Sequence, residues 1–364
     1  MTLVRIIKDW DWPDLMRQTP AGKGIWDGIQ FTLERAGKCD YVIILNRALE
    51  DITLRCPPEH VWAIMQEPPN EYYAPFHIGN NSYHRIYTSD IHLKDKKYVY
   101  SQPALPWHVN KDYDFLISCS VPKKDRNISW ITSNKVNFQG QRDRLAFLET
   151  IGGKLQFDLF GKGFSYVEDK WEALAPYRYS LVVENFRNPY YWSEKLADCF
   201  LSWTFPIYFG CSRITEYFPQ DALAQIDIYD PYAFERIREV VSSDLWRKNQ
   251  EAIEQARKMV LNTYQLFPFV TQEIRKHQRT ACGESHIPQI VTIPHQSRSP
   301  MAAEKWFYVF ARAPIGRFLK KLKTRLFHSA AQPLTDGNGL SSLSIRTLEH
   351  QRKSYKSGLR AWKR

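Results

Sequence analysis

The stretch VVENFRNPYYWSEKL, Val182 to Leu196, begins as an apolar run and ends as the opening of a helix. Glu184, Asn185, Tyr191, Glu194 and Lys195 crowd the junction. A helix N-terminus presents free backbone N–H groups and the positive end of its dipole, so it favours anions. Lys195 in the first turn adds a full positive charge, and a phosphate fits there. Glu194, as a carboxylate, only accepts hydrogen bonds and can take two from a ribose diol. Tyr191 can cover a base or a sugar face. The same Glu–Lys pair also suits a capped surface helix whose acid merely complements the dipole. Spacing alone leaves both readings standing.

Those groups need elements to deliver them. YRYSLVVEN (Tyr177–Asn185) reads as a strand, with a helix following from about Trp192. In an open parallel sheet, ligands bind beyond the carboxyl ends of the strands, where Glu184 and Asn185 fall. Upstream, CDYVIILN (Cys39–Asn46), HVWAIMQEP (His60–Pro68) and DFLISCSV (Asp114–Val121) read as buried strands. The charged, proline-bearing loop VPKKDRN (Val121–Asn127) suggests a boundary. Beyond it come a strand at ISWITSN (Ile128–Asn134), a helix at QRDRLAFLETI (Gln141–Ile151) and a strand at LQFDLFG (Leu155–Gly161). TFPIYFG (Thr204–Gly210) and AQIDIYD (Ala224–Asp230) complete the strands, and Tyr232 to Gln278 is helical in pattern. Strands alternating with helices imply parallel sheets wound by right-handed crossovers. The expectation is an α/β chain of two doubly wound, Rossmann-like domains facing a cleft. Residues 1–124 form the first, 125–285 the second with its terminal helices, and 286–364 a basic, partly helical tail.

The run VVENFRNPYYWSEKLADCFLSWTFPIYFGCSRI resembles the signature of the family ten glycosyltransferases, the α-1,3/4-fucosyltransferases. Its elements are Glu184-Asn185, Tyr191, Ser193-Glu194-Lys195, Pro206-Ile207 and Gly210. The resemblance implies the two-domain GT-B architecture and inverting transfer of L-fucose from GDP-fucose to a glycan hydroxyl. It implies nucleotide contacts from Asn185, Tyr191, Glu194 and Lys195, with the lysine on the diphosphate and the glutamate on the ribose. It also implies a phosphate-binding arginine at the first donor-domain helix; Arg144 matches best, with Arg142 as the alternative register. The family's catalytic base corresponds to Glu67 in AIMQEPPN, where Pro68 stands in place of the usual serine. No metal or other cofactor is implied, because Lys and Arg can neutralise the departing diphosphate. The spacings Asp9/Asp11 and Asp112/Asp114 lie outside the expected donor domain and are short enough to arise by chance. No His/Asp cluster is legible, and His77, His92 and His108 read as ordinary residues.

Charge separates the body from the tail. Arg298 to Arg364 holds 15 basic and 3 acidic side chains, whereas Met1 to Ser297 carries 35 and 36. A neutral body argues against a nucleic-acid partner. APIGRFLKKLKTRLF (Ala313–Phe327) sets Ile315, Phe318, Leu319, Leu322 and Leu326 on one helical face amid lysines and arginines. WFYVF (Trp306–Phe310) precedes it, HSAAQPLTDGNGLSSLS (His328–Ser344) reads as a linker, and IRTLEHQRKSYKSGLRAWKR repeats the amphipathic pattern. Basic amphipathic helices lie on anionic membrane surfaces, although a helix packed on the body accounts equally well for the first segment alone. No run approaches the length of a spanning helix, the N-terminus lacks a secretory pattern, and the six cysteines show no paired spacing. The expectation is a cytoplasmic protein, peripheral at the membrane, acting on a glycan acceptor in surface polysaccharide or glycoconjugate synthesis. Its rivals are a transferase using another nucleotide sugar and an inactive GDP-sugar-binding protein associated with the membrane.

Overall fold

The structure, a computed structural model, describes residues 1–280 and 286–296. Its first half supplies β1 (Thr2–Lys8), β2 (Ile25–Trp26), β3 (Ile29–Thr32), β4 (Tyr41–Leu45), β5 (Ile52–Cys56), β6 (Val61–Ile64), β7 (Arg85–Thr88) and β8 (Tyr98–Tyr100). Seven of these form one sheet in the order β2-β3-β1-β4-β6-β7-β8, parallel except at the β2–β3 edge. Alternation along the strands gives the sheet two apolar faces. Ile43 and Leu45 of β4 pack into one cluster, while Val42 and Ile44 pack into another. Helices α1 (Ala74–Ile78) and α2 (Tyr113–Ser118) follow β6 and β8.

The second sheet uses β9 (Arg126–Ile131), β10 (Asp158–Phe160), β11 (Tyr177–Val183), β12 (Phe205–Phe209) and β13 (Ala224–Gln225). All its pairings are parallel, in the order β10-β9-β11-β12-β13. Its helices are α3 (Gln139–Ile151), α4 (Glu194–Leu201), α5 (Ile214–Tyr217), α6 (Ala233–Ser242), α7 (Leu245–Lys248) and α8 (Gln250–Met259). Val182 and Tyr208 of the sheet share a core with Leu196 and Phe200 of α4 and with Ala256 of α8. Two mainly parallel sheets, the second with helical crossovers, agree with the expected GT-B architecture.

A π-helical turn over Val260–Tyr264 ends that series, and the chain then returns to the first sheet. Helix α9 (Leu266–Thr280) buries Leu266, Phe267, Val270 and Ile274 against Val4, Ile6 and Tyr41. Strand β14 (Gln289–Ile293) pairs antiparallel with β5 and puts Ile293 into the core beside Leu54. The expected grouping of the terminal helices with the second domain, and of residues from 286 with the tail, thus differs from the packing. Segments 266–280 and 286–296 lie on the first sheet.

DFLISCSV is not a strand. Asp112 caps α2, accepting from the Phe115 amide at 2.7 Å, and only Leu116 of the helix is buried. Phe115 and Ile117 are exposed, so the apolar run does not mark burial on two faces. Among the described residues no helix is long and apolar enough to cross a membrane. The amphipathic segments, WFYVF, the linker and Cys282 lie outside the described residues.

Candidate active site

Strand β11 ends at Val183, and the chain reaches α4 eleven residues later. Ser193 caps that helix, accepting from the Lys195 amide at 3.3 Å and from its Nζ at 3.0 Å. The Ser193 amide and hydroxyl donate to the Glu184 carboxylate at 2.8 and 2.7 Å. Glu184 is 1 % exposed. It therefore fixes the strand end to the helix start and has no free acceptor face for a ligand. Gly210 is needed at this crowded place, because a Cβ there meets the Glu184 Cγ at 2.6 Å.

Helix α4 is buried nearly all round, including Asp198. A buried carboxylate requires partners. Asp198 accepts from the amides of His108 and Val109 at 2.7 and 3.1 Å and from Lys170 Nζ at 3.0 Å. Lys170 also donates to Glu194 at 3.3 Å, and Lys195 reaches Glu194 at 3.4 Å and Glu184 at 3.5 Å. Burial opposes charge on Glu194, but Lys195 and Lys170 outweigh it and hold its carboxyl well below the usual range. His108 lies 3.8 Å from Glu194. Burial and the Lys170 charge push its imidazole down to about 4, so it is neutral near pH 7 and forms no ion pair.

Arg144 projects from α3 into the same region and is buried. Burial lowers its pKa, opposed by the charges of Glu184 and Glu194. Its Nη2 reaches Ser133 at 3.3 Å, while its Nε has no partner. Arg142 is turned the other way and donates to Val136 and Gln139 at 3.0 and 2.8 Å. Asn185 Oδ1 is likewise buried without a partner. The start of α3 presses on Asn185 so closely that a Cβ on Gly140 would sit 2.0 Å from its carbonyl oxygen. Tyr191 is 4 % exposed, which leaves little ring face for stacking. Burial and nearby Glu184, Glu67 and Glu194 hold its hydroxyl protonated. Three carboxylates, Glu184, Glu194 and Asp198, are thus matched by Arg144, Lys170 and Lys195.

Glu67 comes from the first sheet, just beyond β6. Asn46, whose backbone is left-handed (φ 62°), accepts from the Gln66 and Glu67 amides at 2.8 and 3.3 Å. Its Nδ2 donates to Asp9 at 2.9 Å. His77 fixes the other side of the turn, contacting the Glu67 carbonyl through Nε2 at 3.0 Å and Thr88 Oγ1 through Nδ1 at 2.6 Å. Burial pushes His77 down to about 4, so the neutral ring donates to the carbonyl and accepts from the threonine. The Glu67 carboxyl is pushed up to about 7 by burial and by the Glu194 charge, with Lys195 pulling the other way. Glu67 thus lies within electrostatic reach of Glu194 and Lys195.

The structure therefore gathers Arg144, Asn185, Tyr191, Glu194 and Lys195 at one mouth, with Glu67 within electrostatic reach. Sequence reasoning missed Lys170 and Asp198 and gave His108 no supported part. Their partners come from separate stretches of chain. The Asp–x–Asp spacings are structural: Asp9 pairs with Arg47 at 2.9 Å, Asp112 caps α2, and Asp114 accepts from the Ala21 amide at 2.9 Å.

Residues 121–244 match the family model described as glycosyltransferase family 10 (fucosyltransferase) C-term. Over this segment the chain is similar to glycosyltransferase family 10. It contains β9 to β13, α3 to α6 and every donor-side residue named above. The 4-galactosyl-N-acetylglucosaminide 3-alpha-L-fucosyltransferase 9 of Homo sapiens is 26% identical over 115 residues, covering 30% of this chain and 31% of that protein. The protein of the same name from Mus musculus is 25% identical over 115 residues. The match thus spans about a third of these curated relatives. A crystal structure of an alpha1,3-fucosyltransferase aligns over 81% of this chain and 92% of its own, at 14% identity and a TM-score of 0.45. Glu67 and the first sheet lie outside the family 10 segment.

Proposed function

We propose that this protein is an inverting glycosyltransferase that moves L-fucose from GDP-fucose to a hydroxyl of a glycan, in α-1,3 or α-1,4 linkage. The observation that carries this reading is the orphaned Arg144 Nε and Asn185 Oδ1 in a family 10 segment whose neighbouring Lys195 is held at a helix mouth. Unpartnered buried polar groups are costly and await a ligand that satisfies them. In this reading Arg144 and Lys195 bind the diphosphate, Glu194 the ribose, and Asn185 and Tyr191 complete the donor pocket. Glu67 takes the proton from the acceptor hydroxyl as its oxygen attacks the anomeric carbon. The bond to the β-phosphate breaks, GDP leaves with the electron pair, and the anomeric centre inverts. Positive charge already in place stabilises the leaving diphosphate, so donor chemistry requires no metal.

The basic tail would hold the enzyme at an anionic membrane surface on the cytoplasmic side, near a lipid-linked or surface glycan. In this reading residues 1–124, with the segments 266–280 and 286–296 that pack on their sheet, form the acceptor side, and the second sheet with its helices forms the donor side. A second reading, a GDP-sugar binder without turnover, is favoured by one fact: the matched segment excludes Glu67. Purified full-length protein assayed against a panel of nucleotide sugars separates the two. GDP release from GDP-fucose, raised by a glycan acceptor, is expected. Binding of GDP without release from any donor would leave the binder reading in place.

A further inference from the structure

At the opposite end of β6 from Glu67, a short helical turn (Pro58–His60) meets the segment that leads into β14. Donor atoms of Glu59, His60 and His286 lie within 4.8 Å of one another there. His60 is 6 % exposed, and its ring stacks on Tyr41 with centroids 4.0 Å apart. Its Nδ1 faces the Asp40 carbonyl at 2.8 Å, so that nitrogen carries the proton and Nε2 keeps the lone pair. Nε2 is buried without any partner. An imidazole oriented through Nδ1–H to a backbone carbonyl, with Nε2 open, is how proteins prepare a histidine for a metal ion. His286 Nδ1 is 2.5 Å from the Glu59 carboxylate. His277 of α9 flanks the group, its ring 5.2 Å from His60 and 5.6 Å from His286.

We propose that Glu59, His60 and His286 form a binding site for a divalent transition metal of the zinc class, apart from the transfer cleft. Imidazole nitrogens with a carboxylate suit zinc rather than magnesium, which prefers oxygen and retains its waters. Zinc ligands lie about 2.0–2.2 Å from the ion and so about 3.3 Å from one another. Drawing donors now spread over 4.8 Å onto one ion takes about 1 Å or less from each. Water fills the fourth position, beside His277. The nearby Arg85 guanidinium is engaged over the Trp62 ring, 5.1 Å from its centroid. The ion would clip the chain after α9 to the first sheet, where β14 begins.

The test uses tag-free full-length protein stripped with a chelator. Zn²⁺ is titrated in competition with a chromogenic zinc indicator, with Mg²⁺ as the control. One equivalent of Zn²⁺ should bind below about 10 µM and raise the melting temperature, and Mg²⁺ should do neither. His286→Gln and Glu59→Gln change partly exposed side chains and should each weaken Zn²⁺ binding at least about tenfold. Both apo variants should melt close to the apo wild type, so a folding failure in one leaves the other as the readout. Absence of saturable Zn²⁺ binding, or unchanged affinity in both variants, overturns the site.

Discussion

Glu67 is poised to change charge near neutrality, and two measurements follow from that single group. In its proposed role of general base it works only when deprotonated, so transfer should fall as pH drops through about 7. Glu67→Gln keeps the shape without basicity and should cost about 10²–10⁴ in transfer rate while GDP affinity by calorimetry stays near wild type. The same carboxyl strains the fold. Its pKa is raised on folding, so the charged form is disfavoured in the native state. The stability it leaves intact below about pH 4.5 is lost as pH rises through about 7. Discounted for its partial exposure, that amounts to about 1–3 kcal/mol. Glu67→Gln should therefore melt higher than wild type at pH 8 and match it near pH 4. On the donor side, Lys195→Ala or Arg144→Ala should lower turnover about 10²–10³-fold with far-UV circular dichroism unchanged. Wild-type turnover in Lys195→Ala would remove the lysine from the diphosphate site. Lys195, Glu194 and Asn185 were legible because they share one run of sequence. Lys170, Asp198 and His108 were not, because the contacts that join them bridge 62 and 90 positions. Glu67 was legible only through resemblance, since a lone loop acid carries no pattern.

Helix α3 is placed by contact at its first turn. The 2.0 Å separation of a Gly140 Cβ from the Asn185 carbonyl cannot be relieved by rotating a side chain, because both groups are backbone. Gly140→Ala should push the helix start off the strand end and carry Arg144 with it. GDP affinity should drop at least about tenfold, and the protein should lose about 1–3 kcal/mol to denaturant. A normal calorimetric titration with GDP would mean that α3 does not need this approach. Most of the second sheet and its helices followed from hydrophobic periodicity, because β-branched and aromatic runs there are bounded by clear breakers. The reading failed at α2, where six residues with an apolar centre looked like a strand and a single cap at Asp112 decided for a helix. It also gave no strand to Thr2–Lys8, whose apolar run is interrupted by Arg5, a charged residue that the fold nonetheless buries.

At the level of the molecule, charge is divided between a neutral body and a basic C-terminal stretch. Removal of residues after Ser297 should abolish binding to vesicles of anionic lipid in a flotation assay. Transfer to a soluble acceptor should remain within about twofold. The cut position matters. Arg47 contacts the Gln296 carbonyl at 3.3 Å, and the His295 amide donates to Asp51 at 2.7 Å, so both anchors survive. A cut at 286 would strip β14 from β5 and destabilise the first sheet. Equal vesicle binding by the protein ending at Ser297 would remove the tail as the anchor.

The return of α9 and β14 to the first sheet has a consequence for how the protein is made. A chain emerging from the ribosome exposes its N-terminal strands early, yet Ile274 and Ile293 complete the two faces of that sheet and arrive late. Between Tyr100 and Ile293 synthesis takes roughly 10–40 s at about 5–20 residues per second. During that interval Val4, Ile6, Leu54 and their neighbours lack their final covering. The second sheet, whose elements are contiguous in sequence, can close first. A nascent chain stalled before Leu266 should thus be protected from protease in its second half while its first half remains open to cleavage.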